Sequence, residues 1–151
     1  MERTWVLEDE AAQLAFGARL ARALPAAACL YLHGPLGAGK TTLVRGVLRG
    51  LGHTGAVRSP TYTLLETYAV PQGELCHFDL YRLGSAEELK DIGARELFDG
   101  HRVCFVEWPE RGAGWLPQPD LDISIDLAGA GRRLRATAHG RAGEQILEAL
   151  S

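Results

Sequence analysis

Cys29-Leu30-Tyr31-Leu32-His33-Gly34-Pro35-Leu36-Gly37-Ala38-Gly39-Lys40-Thr41-Thr42-Leu43-Val44 is the stretch on which the fold turns. Cys29 to Leu32 is a short apolar run, suited to a buried parallel strand. Leu43, Val44, Val47, Leu48 and Leu51 then fall at helical spacing, and Gly52 ends the pattern. Between them, Gly34 to Thr41 fits G-x-x-x-x-G-K-[ST], with a strand before it and a helix after it, the placement a phosphate-binding loop requires. The glycines let backbone N–H groups turn inward around phosphate oxygens, and the helix N-terminus favours an anion. Lys40 is a flexible point charge suited to β- and γ-phosphates, a role the rigid fork of arginine does not fill. The chain has only two lysines, Lys40 and Lys90, against fourteen arginines, so the lysine here is a departure from its own usage. Thr41 would place its hydroxyl on Mg²⁺.

Outward from this loop the pattern alternates between strands and helices. Trp5 to Leu7 reads as a short edge strand, and Asp9 to Leu24 as an amphipathic helix stopped by Pro25. Thr63 to Tyr68 and Leu75 to Leu80 read as two arms of a hairpin around Pro71-Gln72-Gly73. Ser85-Ala86-Glu87-Glu88 reads as a capping box opening a helix. Val103 to Val106 is another buried strand, Arg111 to Pro119 a Gly- and Pro-rich loop, and Leu121 to Leu127 a cleanly alternating strand. Gly129-Ala130-Gly131 turns into a last strand, Arg132 to Ala138, and a helix over Ala142 to Leu150 closes the chain. The expected fold is α/β, a P-loop NTPase-like three-layer arrangement around a mixed, partly parallel sheet.

Composition narrows the class. The 151 residues suit one domain, with 46% apolar and 23% charged residues as in ordinary globular proteins. No run approaches a membrane span, and the acidic Glu8-Asp9-Glu10 near the N-terminus is unlike a secretory signal. A cytoplasmic protein with no membrane association is expected. A net charge of −3 disfavours a general nucleic-acid-coating role. The chain contains no Asn, which excludes the Asn-Lys-x-Asp motif that reads guanine, so ATP is preferred to GTP. Cys29, Cys76 and Cys104 each sit in an apolar run without a C-x-x-C pair, and read as buried, reduced thiols.

A phosphate loop needs a second carboxylate at a neighbouring strand tip to hold Mg²⁺ or its waters. Val103-Cys104-Phe105-Val106-Glu107 and Leu75-Cys76-His77-Phe78-Asp79 are apolar strands that each end in an acid. They are expected to flank the loop with divided labour, and spacing does not say which acid does which job. Ser59-Pro60-Thr61 is hydroxyl-rich and rigid, as a switch segment sensing a γ-phosphate would be. His77 and Asp79 share one strand face, so a His–Asp pair is possible, although a structural histidine is the commoner outcome. Arg132, Arg133 and Arg135 form a basic cluster that reads as a solvated, protective edge strand. Trp115 reads as a lid over the core.

Gly34–Thr42, Ser59–Leu64 (SPTYTL), His77–Leu83 (HFDLYRL), the Glu88 to Gly93 helix and Val106-Glu107-Trp108 resemble, in order and spacing, the bacterial TsaE (YjeE) family. The resemblance spans essentially the whole chain, and the combination SPTYTL–HFDLYRL–VEW is its specific part. It implies a small ATPase needed for N6-threonylcarbamoyladenosine beside the anticodon of ANN-decoding tRNAs. The family docks on a pair of partner proteins, TsaB and TsaD; its ATP hydrolysis resets that machine between turnovers, and tRNA is met through the complex. Carried residue by residue, Lys40 binds phosphates, Thr41 and Glu107 hold Mg²⁺, and Asp79 supports hydrolysis. Gly37, Ala38, Gly39 and Thr42 line the loop. Glu10 and Arg132 fall where the family has nucleotide-side contacts. Pro35 replaces the acidic or polar residue common at that place, on the side of the loop away from phosphate. No arginine finger is assigned; Arg58, Arg82 and Arg111 are candidates beside one supplied in trans, so intrinsic turnover should be low. Two other readings compete: a P-loop small-molecule kinase, which would want an Arg-rich lid that Gly112–Pro119 lacks, and a nucleotide-dependent binding module that needs no hydrolysis.

Overall fold

Short β-rich runs separated by amphipathic helices build one sheet with its chemistry gathered at one end. The computed structural model describes residues 1–150. The strands are β1 (Glu2–Leu7), β2 (Ala28–His33), β3 (Leu65–Val70), β4 (Gly73–Asp79), β5 (Val103–Glu107), β6 (Leu121–Ala128) and β7 (Gly131–Ala138). The helices are α1 (Glu10–Ala23), α2 (Lys40–Gly50), α3 (Glu87–Asp91), α4 (Ala94–Leu97) and α5 (Gly140–Ala149), with a 3₁₀ turn at Pro109–Gly112. Strand order is β1-β7-β6-β2-β5-β4-β3. Strand β2 is parallel to both β5 and β6, and β4 is parallel to β5. The remaining pairs, β1–β7, β6–β7 and β3–β4, are antiparallel.

Two apolar clusters cover the sheet. On one face Phe16 and Leu20 of α1, Leu43 and Val47 of α2, and Ile146 and Leu147 of α5 pack on Leu30, Leu32, Phe105, Ile123 and Leu134. On the other, Leu89 and Ala94 of the two short helices, with Trp115 lying over them, pack on Cys76, Phe78, Cys104 and Val106. This second layer covers only the β4–β5–β2 half. On the β6–β7–β1 half, Asp126, Arg133, Arg135 and Thr4 face solvent. Cys29, Cys104 and Cys76 are register partners in one row across three strands, all buried and free. Burial pushes the Cys29 thiol up to about 12, helped by Asp120 and Asp122, which keeps it protonated and inert.

Helices α1 and α2 meet through a glycine notch. A Cβ on Gly46 would lie 2.5 Å from the Leu14 carbonyl oxygen, and one on Gly17 would lie 2.7 Å from that of Leu43. Alanine at 46 gains about 1 kcal/mol of helix propensity, but overpacking against backbone costs about 1–3 kcal/mol. Gly46→Ala is therefore expected to lower the melting temperature by several degrees, at about 2–4 °C per kcal/mol for a domain of this size. Calorimetry of the two proteins checks it.

Several expectations shift. Arg132 to Ala138 is not an edge: β7 lies between β1 and β6, and the edges are β1 and β3. Arginine spacing alone cannot show that the N-terminal strand returns to pair with it over six residues. The hairpin's first arm starts at Leu65 instead of Thr63, because Pro60 to Leu64 closes a turn through a Leu64 N–H bond to the Pro60 carbonyl at 2.8 Å. The capping box does not form at Ser85. Helix α3 starts at Glu87 after Ala86, and Glu88 reaches back to the Gly84 N–H at 3.0 Å. Asp9, which the sequence pattern places inside the helix, caps α1, accepting from the Ala12 N–H at 2.8 Å.

Candidate active site

The site lies at the C-terminal ends of parallel strands, where open α/β sheets bind ligands. Strand β2 ends in the glycine-rich loop, and the adjacent β5 ends in Glu107. Beyond it β4 ends in Asp79, the register partner of Glu107. The two acids are thus neighbours on one side of the loop, rather than flanking it; β6 occupies the other side. Period-two alternation puts His77, Asp79 and Glu107 on the face that α2 covers.

Three loop glycines take positive φ: Gly34 at 147°, Gly37 at 80° and Gly39 at 105°. Gly39 is the tightest, since a Cβ there would fall 2.2 Å from the Gln13 side-chain nitrogen. Lys40 opens α2 and is 5% exposed. Its Nζ donates to the Gly34 carbonyl at 2.5 Å and lies 3.9 Å from the Trp108 ring centroid. Burial pulls the Lys40 pKa down, while Glu107, Asp79 and Glu110 oppose the shift. The Thr41 hydroxyl donates to Glu107 Oε2 at 3.0 Å, and His77 Nε2 meets the same oxygen at 2.6 Å. His77 is wholly buried, and its Nδ1 has no hydrogen-bond partner among the described residues. Of the two readings of His77, the pair with Asp79 does not form; the histidine is buried and bonds to Glu107, a link across two strands.

Asp79 Oδ1 accepts from the Tyr81 N–H at 3.0 Å, and Oδ2 faces the Thr61 hydroxyl at 3.4 Å. Burial raises the Asp79 pKa, and the Glu107 charge adds to it; the Tyr81 N–H bond, the nearby His77 and the Thr61 hydroxyl pull the other way. A raised native value means that the folded state holds the proton better than the unfolded chain. Stability is then lost as pH rises from the ordinary carboxylate range through the raised native value. In Asp79→Asn the carbonyl oxygen still accepts from the Tyr81 N–H and the amide nitrogen donates to the Thr61 oxygen, so both contacts persist, the second reversed, without the charge. The variant is expected to melt a few degrees higher than the wild type at about pH 7, with the gap closing at about pH 4. Thermal melts across that range check it.

Two residues with left-handed backbone frame the site, Leu64 at φ 67° and Trp108 at φ 56°. Such conformations in non-glycine residues cluster at functional sites. A cleft of about 270 Å³ is lined by Lys40, Thr41, Ser59, Thr61, Asp79, Glu107 and Trp108. The switch-like segment, the loop and both acids therefore share one space. Arg58, Arg82 and Arg111 do not line it. Arg82 lies over the Tyr62 ring and Arg111 over the Tyr81 ring. A second cleft on the loop's other side is lined by Glu10, Gln13, Gly39, Thr42 and Arg132.

A family model described as "Threonylcarbamoyl adenosine biosynthesis protein TsaE" matches residues 7–134. The chain belongs to the TsaE family. A TsaE of Haemophilus influenzae, described as a tRNA threonylcarbamoyladenosine biosynthesis protein, is 43% identical over 98% of this chain and 97% of its own length. The TsaE of Bacillus subtilis is 43% identical over 81% of this chain and 77% of its own. The crystal structure of Bacillus subtilis YdiB superposes with a TM-score of 0.81, at 34% identity, over 99% of this chain and 94% of that one.

Within this TsaE fold, Lys40, Thr41, Asp79 and Glu107 converge as their motifs suggest. Arg132 turns out to hold the loop: its Nε donates to the Ala38 carbonyl at 2.9 Å and its Nη2 to that of Gly37 at 3.2 Å. Glu10 is exposed at the second cleft. Sequence reading missed Gln13 and the His77–Glu107 link, since only the packing of α1 and the strand register bring these groups together. The donor set suits a hard cation, with a hydroxyl and a carboxylate oxygen 3.0 Å apart. Among the described residues no group of three or more His, Cys, Asp and Glu is disposed to hold a metal, so a thiolate or imidazole cage is not built here. Among the same residues no helix is long and apolar enough to cross a membrane.

Proposed function

We propose that this chain is a Mg²⁺-dependent ATPase serving N6-threonylcarbamoyladenosine formation in tRNA, acting on a TsaB–TsaD pair to allow repeated turnover. The observation that carries this reading is the convergence of a buried lysine, a hydroxyl and two buried carboxylates on one glycine-rich loop. Family membership supplies the pathway, since its relatives serve tRNA threonylcarbamoyladenosine biosynthesis. The absence of Asn from the chain favours adenine over guanine.

The chain's own groups divide the work. Loop N–H groups at the start of α2 bind phosphate oxygens, since the first amides of a helix lack internal partners. Lys40 leaves the Gly34 carbonyl to meet the phosphates. Thr41 and Glu107 would hold Mg²⁺, which neutralises charge on the phosphates when bound. His77 keeps the Glu107 carboxylate oriented. Asp79, with its raised pKa, is suited to orient a water and take its proton at Oδ2. Thr61, bonded to that oxygen, links the Ser59–Thr61 segment to it. With no arginine in the cleft, intrinsic turnover is low and a partner supplies the missing charge.

Depletion of this protein, followed by mass spectrometry of tRNA nucleosides, tests the reading. Loss of threonylcarbamoyladenosine, restored by the wild type and not by Lys40→Ala, is the expected result. Unchanged modification overturns it.

A further inference from the structure

Gln13 sits beneath the phosphate loop, at a place no motif assigns. It lies on α1 and is only 5% exposed, unusual for a glutamine. Its Nε2 donates to the Ala38 carbonyl at 3.0 Å, the same oxygen that receives Arg132 Nε at 2.9 Å. Two donors on one carbonyl use both its lone pairs. In a trans peptide the C=O and the following N–H point in opposite directions. Holding Ala38 C=O toward Gln13 and Arg132 therefore aims the Gly39 N–H away from them. The Gln13 amide also packs on Gly39 itself, leaving no room for a Cβ.

We propose that Gln13, acting with Arg132, is a positioning residue that fixes the Ala38–Gly39 peptide so that the loop presents its donors before any phosphate arrives. Ordering those donors in advance removes a cost that binding would otherwise carry. The inference rests on the nucleotide reading above, and deepens it by naming what shapes the loop.

The test uses the full chain, an N-methylanthraniloyl-labelled ATP as probe, amide hydrogen exchange of residues 36–41 in the ligand-free protein, and thermal melts. Gln13→Met is expected to weaken probe binding about five- to tenfold, the worth of one hydrogen bond. Its loop amides should exchange faster, with the melting temperature within about 2 °C of wild type. Gln13→Glu provides the chemical rescue. At about pH 8 its carboxylate cannot donate to Ala38 and binding is weak; toward about pH 4, below the ordinary glutamate value, the protonated carboxyl donates and binding recovers relative to wild type. Gln13→Met gains nothing over that range. Binding within twofold of wild type in both variants with unchanged exchange overturns the proposal. So does an affinity loss that merely follows a large fall in melting temperature without recovery in Gln13→Glu. If the wild type fails to bind the probe, or Lys40→Met binds it equally well, the nucleotide reading fails, and the exchange measurement decides the positioning role alone.

Discussion

Glu107→Ala is expected to cost the fold about 2–4 kcal/mol, whereas Glu107→Gln costs less than half as much. One oxygen of Glu107, 3% exposed, serves both the Thr41 hydroxyl and His77 Nε2. Alanine leaves the buried His77 ring with neither nitrogen bonded, because Nδ1 already has no partner among the described residues. A cavity adds to that cost. Glutamine offers a carbonyl oxygen in the same place, so the histidine keeps its acceptor. The negative charge disappears in both variants. Both should therefore lose Mg²⁺-dependent phosphate release from ATP by at least about 100-fold, the order seen when a preorganised charged group is removed. Urea titrations and a phosphate-release assay on the two variants separate the structural role from the chemical one. Equal destabilisation by Ala and Gln would show that His77 does not depend on this oxygen. Full activity in Glu107→Gln would remove the residue from the metal site.

Lys40→Met should do the reverse: little or no loss of stability, and about a 100-fold loss of affinity for a nucleotide phosphate. Among the described residues the Lys40 amine has no carboxylate at ion-pair distance; it has a carbonyl and an indole face. Its lowered pKa means that the folded state holds the proton less well than the unfolded chain does, so the charge counts against the fold near neutrality. Methionine keeps the apolar stem against Trp108 and removes that cost. The variant should melt at or slightly above the wild-type temperature, and its advantage should shrink at alkaline pH as the wild-type amine gives up its proton. Paired melts and labelled-nucleotide titrations check both halves. A strongly destabilised Lys40→Met would mean that the lysine is there for the fold.

Lys40→Met and Asp79→Asn together describe two charged groups held against the preference of the fold, while Glu107 supports it. Desolvation disfavours the charges on Lys40 and Asp79 alike. Function commonly retains such groups at a cost in stability.

The sequence by itself determined the glycine-rich loop, its strand and helix, the central hairpin, and the two strands that end in acids. These are local features, in which glycine positions, apolar periodicity and spacing act within a few residues of each other. Only the tertiary structure decided which groups meet. Asp79 and Glu107 became neighbours through the register of β4 on β5. The histidine two residues before Asp79 bonds to the acid of the next strand, because alternation aims it at the covered face and the neighbouring strand supplies the acceptor. Arg132 looked like part of a basic edge; pairing with β1 made β7 interior and turned that side chain onto the Ala38 carbonyl. Gln13 is one polar residue in an amphipathic helix until the glycine notch between α1 and α2 brings it under the loop. Hydrogen bonds between residues 25 or 94 positions apart depend on how helices and strands pack, and no local pattern records that.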